Sequence, residues 1–285
     1  MSADEVLLVE NPDGPKTRLL LGLEEGSIYR MTTVGALRLP LVQQPTGFAR
    51  EEQLTVSACT GEGEARSCTL EHRYRNFDAE PPAGAYLKRD EQAVAALVTR
   101  HSLRADGTRA GATTVEGPAP ALESENAREL ADVERFYCIR FPEVPVGVGA
   151  AWEATCTLRT DGRLARRKVT WEVAKIDEDP DGGGKRVELR EVGTFEASDG
   201  KNTRSGTFGG TLFFFADIGE PHLLREEIST SVAQEGGIRT VARLNYQFAK
   251  RRGDEVVRTD GEPFPEKPEE PAAAEKPTPA PAAAG

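Results

Sequence analysis

The chain is poor in the residues that most chemistry needs. It has three histidines, His72, His101 and His222, in unrelated segments and without the H-x-H or i, i+4 spacing of a metal site. None of the four cysteines belongs to a C-x-x-C pair, which excludes a zinc ribbon or a thioredoxin-type motif. No G-x-S-x-G, no G-x-x-x-x-G-K-S/T and no helix-opening G-x-G-x-x-G is present. No stretch approaches the roughly 18 apolar residues of a membrane-spanning helix. Lysine is scarce as well: 27 of the 36 basic residues are Arg, scattered singly with Asp or Glu close by. Against 47 acidic residues they leave a formal charge of −11, so the surface repels phosphate and nucleic acid is not a partner. These absences name no catalytic residue, no cofactor and no metal, and they favour a protein that is not an enzyme. A hydrolase with a Glu/Asp pair is the remote alternative, since nothing singles out a pair among so many carboxylates.

What is present is alternation with period two. Leu244, Tyr246 and Phe248 alternate with Arg243, Asn245 and Gln247, and Val169, Trp171 and Val173 with Lys168, Thr170 and Glu172. Cys68, Leu70, His72 and Tyr74 alternate with Thr69, Glu71, Arg73 and Arg75, which puts His72 on an apolar face as a hydrogen-bonded core residue. One wet face and one buried face mark antiparallel sheets packed on a single side. Turns fall between these runs at Asp106-Gly107, Asp161-Gly162, Asp181 to Gly184, Asp199-Gly200 and Gly236-Gly237. The acidic stretch Asp177 to Asp181 reads as a solvated hairpin tip, and Gly206 to Gly210 as the opening of a strand. The predicted fold is mostly β, with antiparallel curved sheets of half-barrel or sandwich type. Helix is expected only at Ser124–Tyr137, with Asp90–Val98 readable as helix or strand.

Two segments begin alike. Leu23 to Arg30 and Val146 to Glu153 each place a glycine, Gly26 or Gly149, three residues before the aromatic that opens a strand, Tyr29 or Trp152. Each is followed by a hairpin with a Gly-rich turn. This suggests two duplicated halves, each a curved sheet whose apolar face needs a cover. The division that follows is an N-terminal arm over 1–19, with its first 15 residues loosely attached, a first β half over 20–118, and a helix and connection over 119–144. A second β half covers 145–258, and a Pro/Ala/Glu tail over 259–285 has too little apolar bulk to form a core.

The cysteines are Cys59, Cys68, Cys138 and Cys156. Cys59 and Cys68 flank a turn-rich stretch, and Cys138 and Cys156 bracket the Pro/Gly-rich connection from Pro142 to Gly149. Two readings stand: two local disulfides in an oxidising compartment, or four buried thiols in a cytosolic protein. Met1 to Glu10 has no basic n-region and no apolar h-region, which leaves a cytoplasmic location as the alternative to a periplasmic, outer-membrane-associated or secreted one.

The run Phe136 to Trp152, FYCIRFPEVPVGVGAAW, is similar to a motif in uncharacterised bacterial exported β-rich proteins, many of them lipoproteins. The resemblance hangs on Pro142, Pro145, Gly149 and Trp152. It implies the curved half-barrel sheet of periplasmic lipoprotein carriers and an envelope location, and it carries no chemistry. The expected function is a non-enzymatic envelope or secreted binding protein that holds a hydrophobic or lipid ligand. Phe213, Phe214 and Phe215 are the candidate apolar groove, because three consecutive aromatics put at least one ring on the face away from the core. The alternative is a structural module that joins a larger assembly through a sheet edge or its tail.

Overall fold

The computed structural model describes residues 5–38, 46–79, 93–111, 113–123, 139–160, 163–179, 184–198, 203–232, 238–252 and 255–257. The strands are β1 (Val6–Glu10), β2 (Ile28–Arg38), β3 (Thr46–Thr60), β4 (Ser67–Ala79), β5 (Val98–Arg104) and β6 (Thr114–Glu116). After the short helix α1 (Ala119–Glu123) come β7 (Ala151–Thr160), β8 (Arg163–Glu178), β9 (Lys185–Ser198), β10 (Thr203–Phe215), β11 (Glu220–Val232), β12 (Ile238–Arg252) and β13 (Glu255–Val257). They form one antiparallel sheet in the order β1-β7-β8-β9-β10-β11-β12-β2-β3-β4-β5-β6, with β13 added on β12. Two consecutive meanders, β2 to β6 and β7 to β12, are thus joined edge to edge through the β12–β2 pair. The mostly β, antiparallel expectation holds.

Alternation explains why these segments are strands and which way they face. Val169, Trp171 and Val173 are buried while Lys168, Thr170 and Glu172 are exposed. Cys68, Leu70, His72 and Tyr74 on β4 are likewise buried. The buried face is covered by the chain itself. To reach β2 from β1 the chain crosses the inner face, burying Leu19, and to reach β7 it crosses back, burying Ile139, Phe141 and Val146. Each large side chain so buried contributes roughly 1.5–3 kcal/mol. The two crossings pair with each other at Thr17 and Val146, with N···O distances of 2.8 and 2.9 Å.

Each crossing also docks on the turn of the other meander. Gly22 donates its N–H to Gly219 beyond β10, and Phe141 donates its N–H to Asp106 beyond β5. The first crossing reaches the end of β5 as well, through Leu21 N–H to the carbonyl of Ala105, the residue after that strand. These contacts tie the halves together across the concave side.

The likeness of the two strand openings extends to hydrogen bonding. Gly26 N–H donates to Val56, Val56 N–H donates to Ser27, and Ser27 N–H closes a turn on Glu24. Gly149 N–H donates to Val173, Val173 N–H to Ala150, and Ala150 N–H to Gly147. Both glycines have positive φ, 81° and 82°. A register shift follows Val56 and Val173 alike.

Some expectations need correction or fall elsewhere. The N-terminal arm is not loosely attached: Val6–Glu10 forms the edge strand β1 on β7, and the Asn11 side chain holds Pro145 and Gly147. Val6 and Leu8 pack on the core, which is the burial that fastens it. Residues 93–95 form one helical turn and Val98 opens β5. The expected helix over 124–137, Cys138 and the tail over 259–285 lie outside the described residues, as do the Asp161-Gly162, Asp199-Gly200 and Gly236-Gly237 turns.

Candidate functional site

The inner face carries two groups of polar side chains among its apolar ones, one in each meander. In the first, alternation points Glu52, His72, Tyr74 and His101 inward from β3, β4 and β5. The His72 imidazole Nε2 lies 2.8 Å from Glu52 Oε2, with both residues essentially solvent-free. Tyr74 meets the His72 ring edge-on with centroids 5.4 Å apart. His101 is equally buried, and its pKa falls well below the usual histidine range. Burial is the main cause, and the charges of Arg109, His72 and Arg140 add to it. Arg140 comes from the second crossing and is itself buried. Its guanidinium donates to the carbonyls of Gly107 and Ile139, and its own carbonyl accepts the Trp152 indole N–H at 2.8 Å.

In the second meander Arg167, Trp171, Glu191 and Phe208 share the inner face with Val169, Leu224 and Ile139. The Arg167 guanidinium carbon sits 3.7 Å above the centre of the Phe208 ring, a stacked cation–π contact. Phe208 lies across Gly193, where a Cβ would come within 2.4 Å of both the ring and the Lys168 carbonyl oxygen. Only glycine leaves room for the ring there. These seven residues close around a space that admits no water-sized sphere. Trp171 has its indole N–H buried with no hydrogen-bond partner among the described residues. A buried donor left unmet costs on the order of 1–3 kcal/mol, so such groups are rare without a reason.

The residues singled out from the sequence are dispersed rather than gathered. Phe213 is half-buried on the outer face, with the Arg186 guanidinium 5.8 Å from its ring centre. Phe214 points inward against Phe141, centroids 4.9 Å apart, and Phe215 is buried at the end of β10. Phe213 and Phe214 therefore lie on opposite faces of β10. Cys59 and Cys68 stand directly opposite each other on β3 and β4 and are disulfide-bonded. Cys156 is buried on β7, and its proposed partner Cys138 is outside the described residues. His72 takes the hydrogen-bonded core position that its alternation predicts. Asp177 and Glu178 close β8, and Asp179 N–H bonds to Gly184 across the hairpin. Arg140, Arg167 and Glu191 were not foreseen. The visible signal was the single charged residue breaking each apolar alternation: Arg167 in the Ala165/Val169 row, Glu191 in the Val187/Leu189 row.

Among the described residues no group of three or more His, Cys, Asp or Glu could hold a metal ion, and no helix is long and apolar enough to cross a membrane. No family model matches the chain, and no curated protein matches its sequence. Among solved structures it is similar to a Bacteroides fragilis NCTC 9343 protein described as exported with a YmcC-like fold. The identity is 9%, the TM-score 0.30, and the match covers 79% of this chain and 97% of that one. It is similar in the same degree to a Parabacteroides distasonis ATCC 8503 protein described as a lipoprotein, at 8% identity and TM-score 0.30, covering 81% of this chain and 98% of that one.

Proposed function

We propose that the chain is a non-enzymatic binding protein of the cell envelope or of secretions, which holds a hydrophobic ligand against the inner face of its second meander. The ligand class is an apolar chain with one hydrogen-bond-accepting end, such as a fatty acid. The observation that carries this reading is the unmet Trp171 indole N–H in a wall that is otherwise apolar except for Arg167 and Glu191. Ligand sites have that composition: a largely apolar lining with a few polar groups that fix orientation. A ligand enters only if Ile139 and the crossing around it shift, since these fill the concave side. The Cys59–Cys68 disulfide supports an oxidising compartment.

The test is titration of the full chain with the fluorescent fatty acid cis-parinaric acid. Saturable uptake that weakens at least threefold in Trp171→Phe supports the reading. No saturable uptake, together with no lipid co-purifying by mass spectrometry, overturns it.

A second reading, a partner-binding module, draws on the edge strand β1, where Leu7 and Val9 are more than half exposed. If the chain acts this way, Leu7→Lys abolishes complex formation with an isolated envelope partner and leaves parinaric acid binding unaffected.

A further inference from the structure

The sheet has an open edge at β1. Its path ends there, and among the described residues no strand lies beyond it. Thr155 on β7 donates its N–H to the Glu5 carbonyl, which fixes the sense of the ladder. Antiparallel strands bond through alternate residues, so Glu5 and Leu7 turn their backbone groups to β7, while Val6 and Leu8 turn theirs to the open side. Edge N–H and C=O groups of this kind are a template for one more strand. Little guards them: the strand sequence VLLVE holds neither Lys nor Pro, and its register shifts only between Leu8 and Glu10.

Side chains set what can pair there. Val6 and Leu8 pack on the core, while Glu5, Leu7 and Val9 stand exposed on the outer face. A row of two aliphatic side chains thus begins with a carboxylate, and exposed Glu10 closes it with another. Glu153, opposite Leu7 on β7, is matched by Lys168 at 2.9 Å. Residues 1–15, by contrast, contain Asp4, Glu5, Glu10 and Asp13 and no Lys or Arg. An antiparallel pair of two copies sets the Glu5 end of one strand beside the Glu10 end of the other, acid against acid, which disfavours a dimer through this edge. A strand with basic ends and apolar residues between them meets every need. Its main chain takes the bonds of Val6 and Leu8, its apolar side chains cover Leu7 and Val9, and its cations face Glu5 and Glu10.

We infer that β1 receives, by antiparallel strand addition, an extended segment of another protein in which apolar residues alternate with polar ones between flanking Lys or Arg. This names the partner chemistry of the edge-strand reading given above and rests on that reading, whereas it is independent of the ligand reading. Main-chain bonds give such a complex its affinity, and the alternate side chains give it specificity.

The experiment uses the full chain and a fluorescently labelled peptide, RTVTVTR, whose valines fall opposite Leu7 and Val9 and whose threonines fall opposite Val6 and Leu8. Anisotropy at low salt reads the binding. The expected result is saturable binding at least about tenfold tighter than that of ETVTVTE, or of RTVTVTR with its threonine N–H groups methylated. Leu7→Lys weakens it at least about tenfold, whereas Val192→Lys, which adds the same charge at an exposed site on β9, leaves it unchanged. Amide exchange followed by NMR shows Val6 and Leu8 exchanging fast in the free chain and slowly once the peptide is bound. No saturable binding, equal binding of the three peptides, or indifference to Leu7→Lys overturns the inference. Slow exchange of Val6 and Leu8 in the free chain overturns it too, by making the chain's own residues the occupant, and a dimer that Leu7→Lys dissociates does so by making the occupant a second copy. An envelope partner that is lost in Leu7→Lys although RTVTVTR does not bind retains the edge-strand reading and overturns the strand chemistry alone.

Discussion

Gly26 and Gly149 occupy the same place in the two meanders. Each has a φ near 81°, each follows a crossing of the inner face, and each donates its N–H to a valine that answers with a bond of its own. Three residues on, Tyr29 and Trp152 are buried as the aromatics that open their sheets. The equivalence runs further along the strands. Leu70 opposes Val56 as Leu189 opposes Val173, and the Cys59–Cys68 pair falls where Ile176 meets Val187. A bond thus occupies in one meander the position that an aliphatic contact occupies in the other.

Replacing either glycine by alanine is therefore expected to cost about the same, roughly 1 kcal/mol, because the left-handed conformation penalises a Cβ at both sites. A Cβ at Gly26 meets nothing and one at Gly149 meets only the Pro12 ring at 3.4 Å, so backbone strain is nearly the whole effect. Urea unfolding of Gly26→Ala and Gly149→Ala measures it. Costs that differ by more than about 1 kcal/mol contradict the equivalence.

Reduction of the disulfide gives a second expectation. Cys59 and Cys68 are 9 residues apart, and closing so short a loop restricts the unfolded chain by about 2–3 kcal/mol. Cys59→Ser paired with Cys68→Ala should lower stability by that amount and remove the dependence of thermal unfolding on dithiothreitol. A melting temperature that stays put on reduction of the wild-type chain speaks against the bond.

The period-two faces were legible in the sequence because a strand buried on one side writes its burial directly into alternate residues, as in Lys168 to Val173. The crossings were not. Leu19 to Leu23 and Ile139 to Val146 pack as irregular chain, and irregular chain has no period to read. The order of strands was equally hidden, since pairing β12 with β2 and β1 with β7 depends on contacts far apart in sequence. The surroundings of the candidate groove were hidden for a related reason. Three phenylalanines in a row say that both faces of β10 carry rings, but the cover over Phe214 comes from Phe141, some 70 residues earlier. His72 was readable from its own strand, whereas Arg140 gains its place only from the fold around Gly107.

Gly193 and Phe208 should behave as one unit. Gly193→Ala puts a methyl group into the Phe208 ring and against the Lys168 carbonyl, an overpacking expected to cost about 1–3 kcal/mol and to disturb the Arg167 stack. With Phe208→Leu in the background the ring clash is gone and only the carbonyl contact remains. The cost of Gly193→Ala in that background should fall by at least about 0.5 kcal/mol, a coupling that chemical denaturation of the four-member cycle resolves.

Global stability should fall on acidification. The folded pKa of His101 lies below its ordinary value of about 6.5, so beneath that pH the unfolded chain binds the proton that the folded chain refuses. The contribution is complete above about pH 6.5 and is lost as the pH descends toward the folded value, at up to about 1.4 kcal/mol per unit. In His101→Phe this portion of the slope between pH 6.5 and 5 should vanish. Urea midpoints recorded at half-unit intervals decide it, and an unchanged slope in the variant removes His101 as the source.

The two tryptophans offer a contrast within one fold. Their rings face each other at 6.5 Å, yet Trp152 donates its N–H to the Arg140 carbonyl and Trp171 donates to nothing among the described residues. Phenylalanine at position 152 removes a satisfied donor and strands a buried carbonyl, for a loss of about 1–3 kcal/mol before any cavity is counted. The same substitution at position 171 removes a donor that was already costing stability, so its net effect should lie within about 1 kcal/mol of zero. If Trp171 instead serves a ligand's acceptor, the harmless substitution is the one that damages binding. Stability and parinaric acid affinity should then rank the two variants in opposite orders, and a single ranking by both measurements would show that the indole at 171 is merely packing.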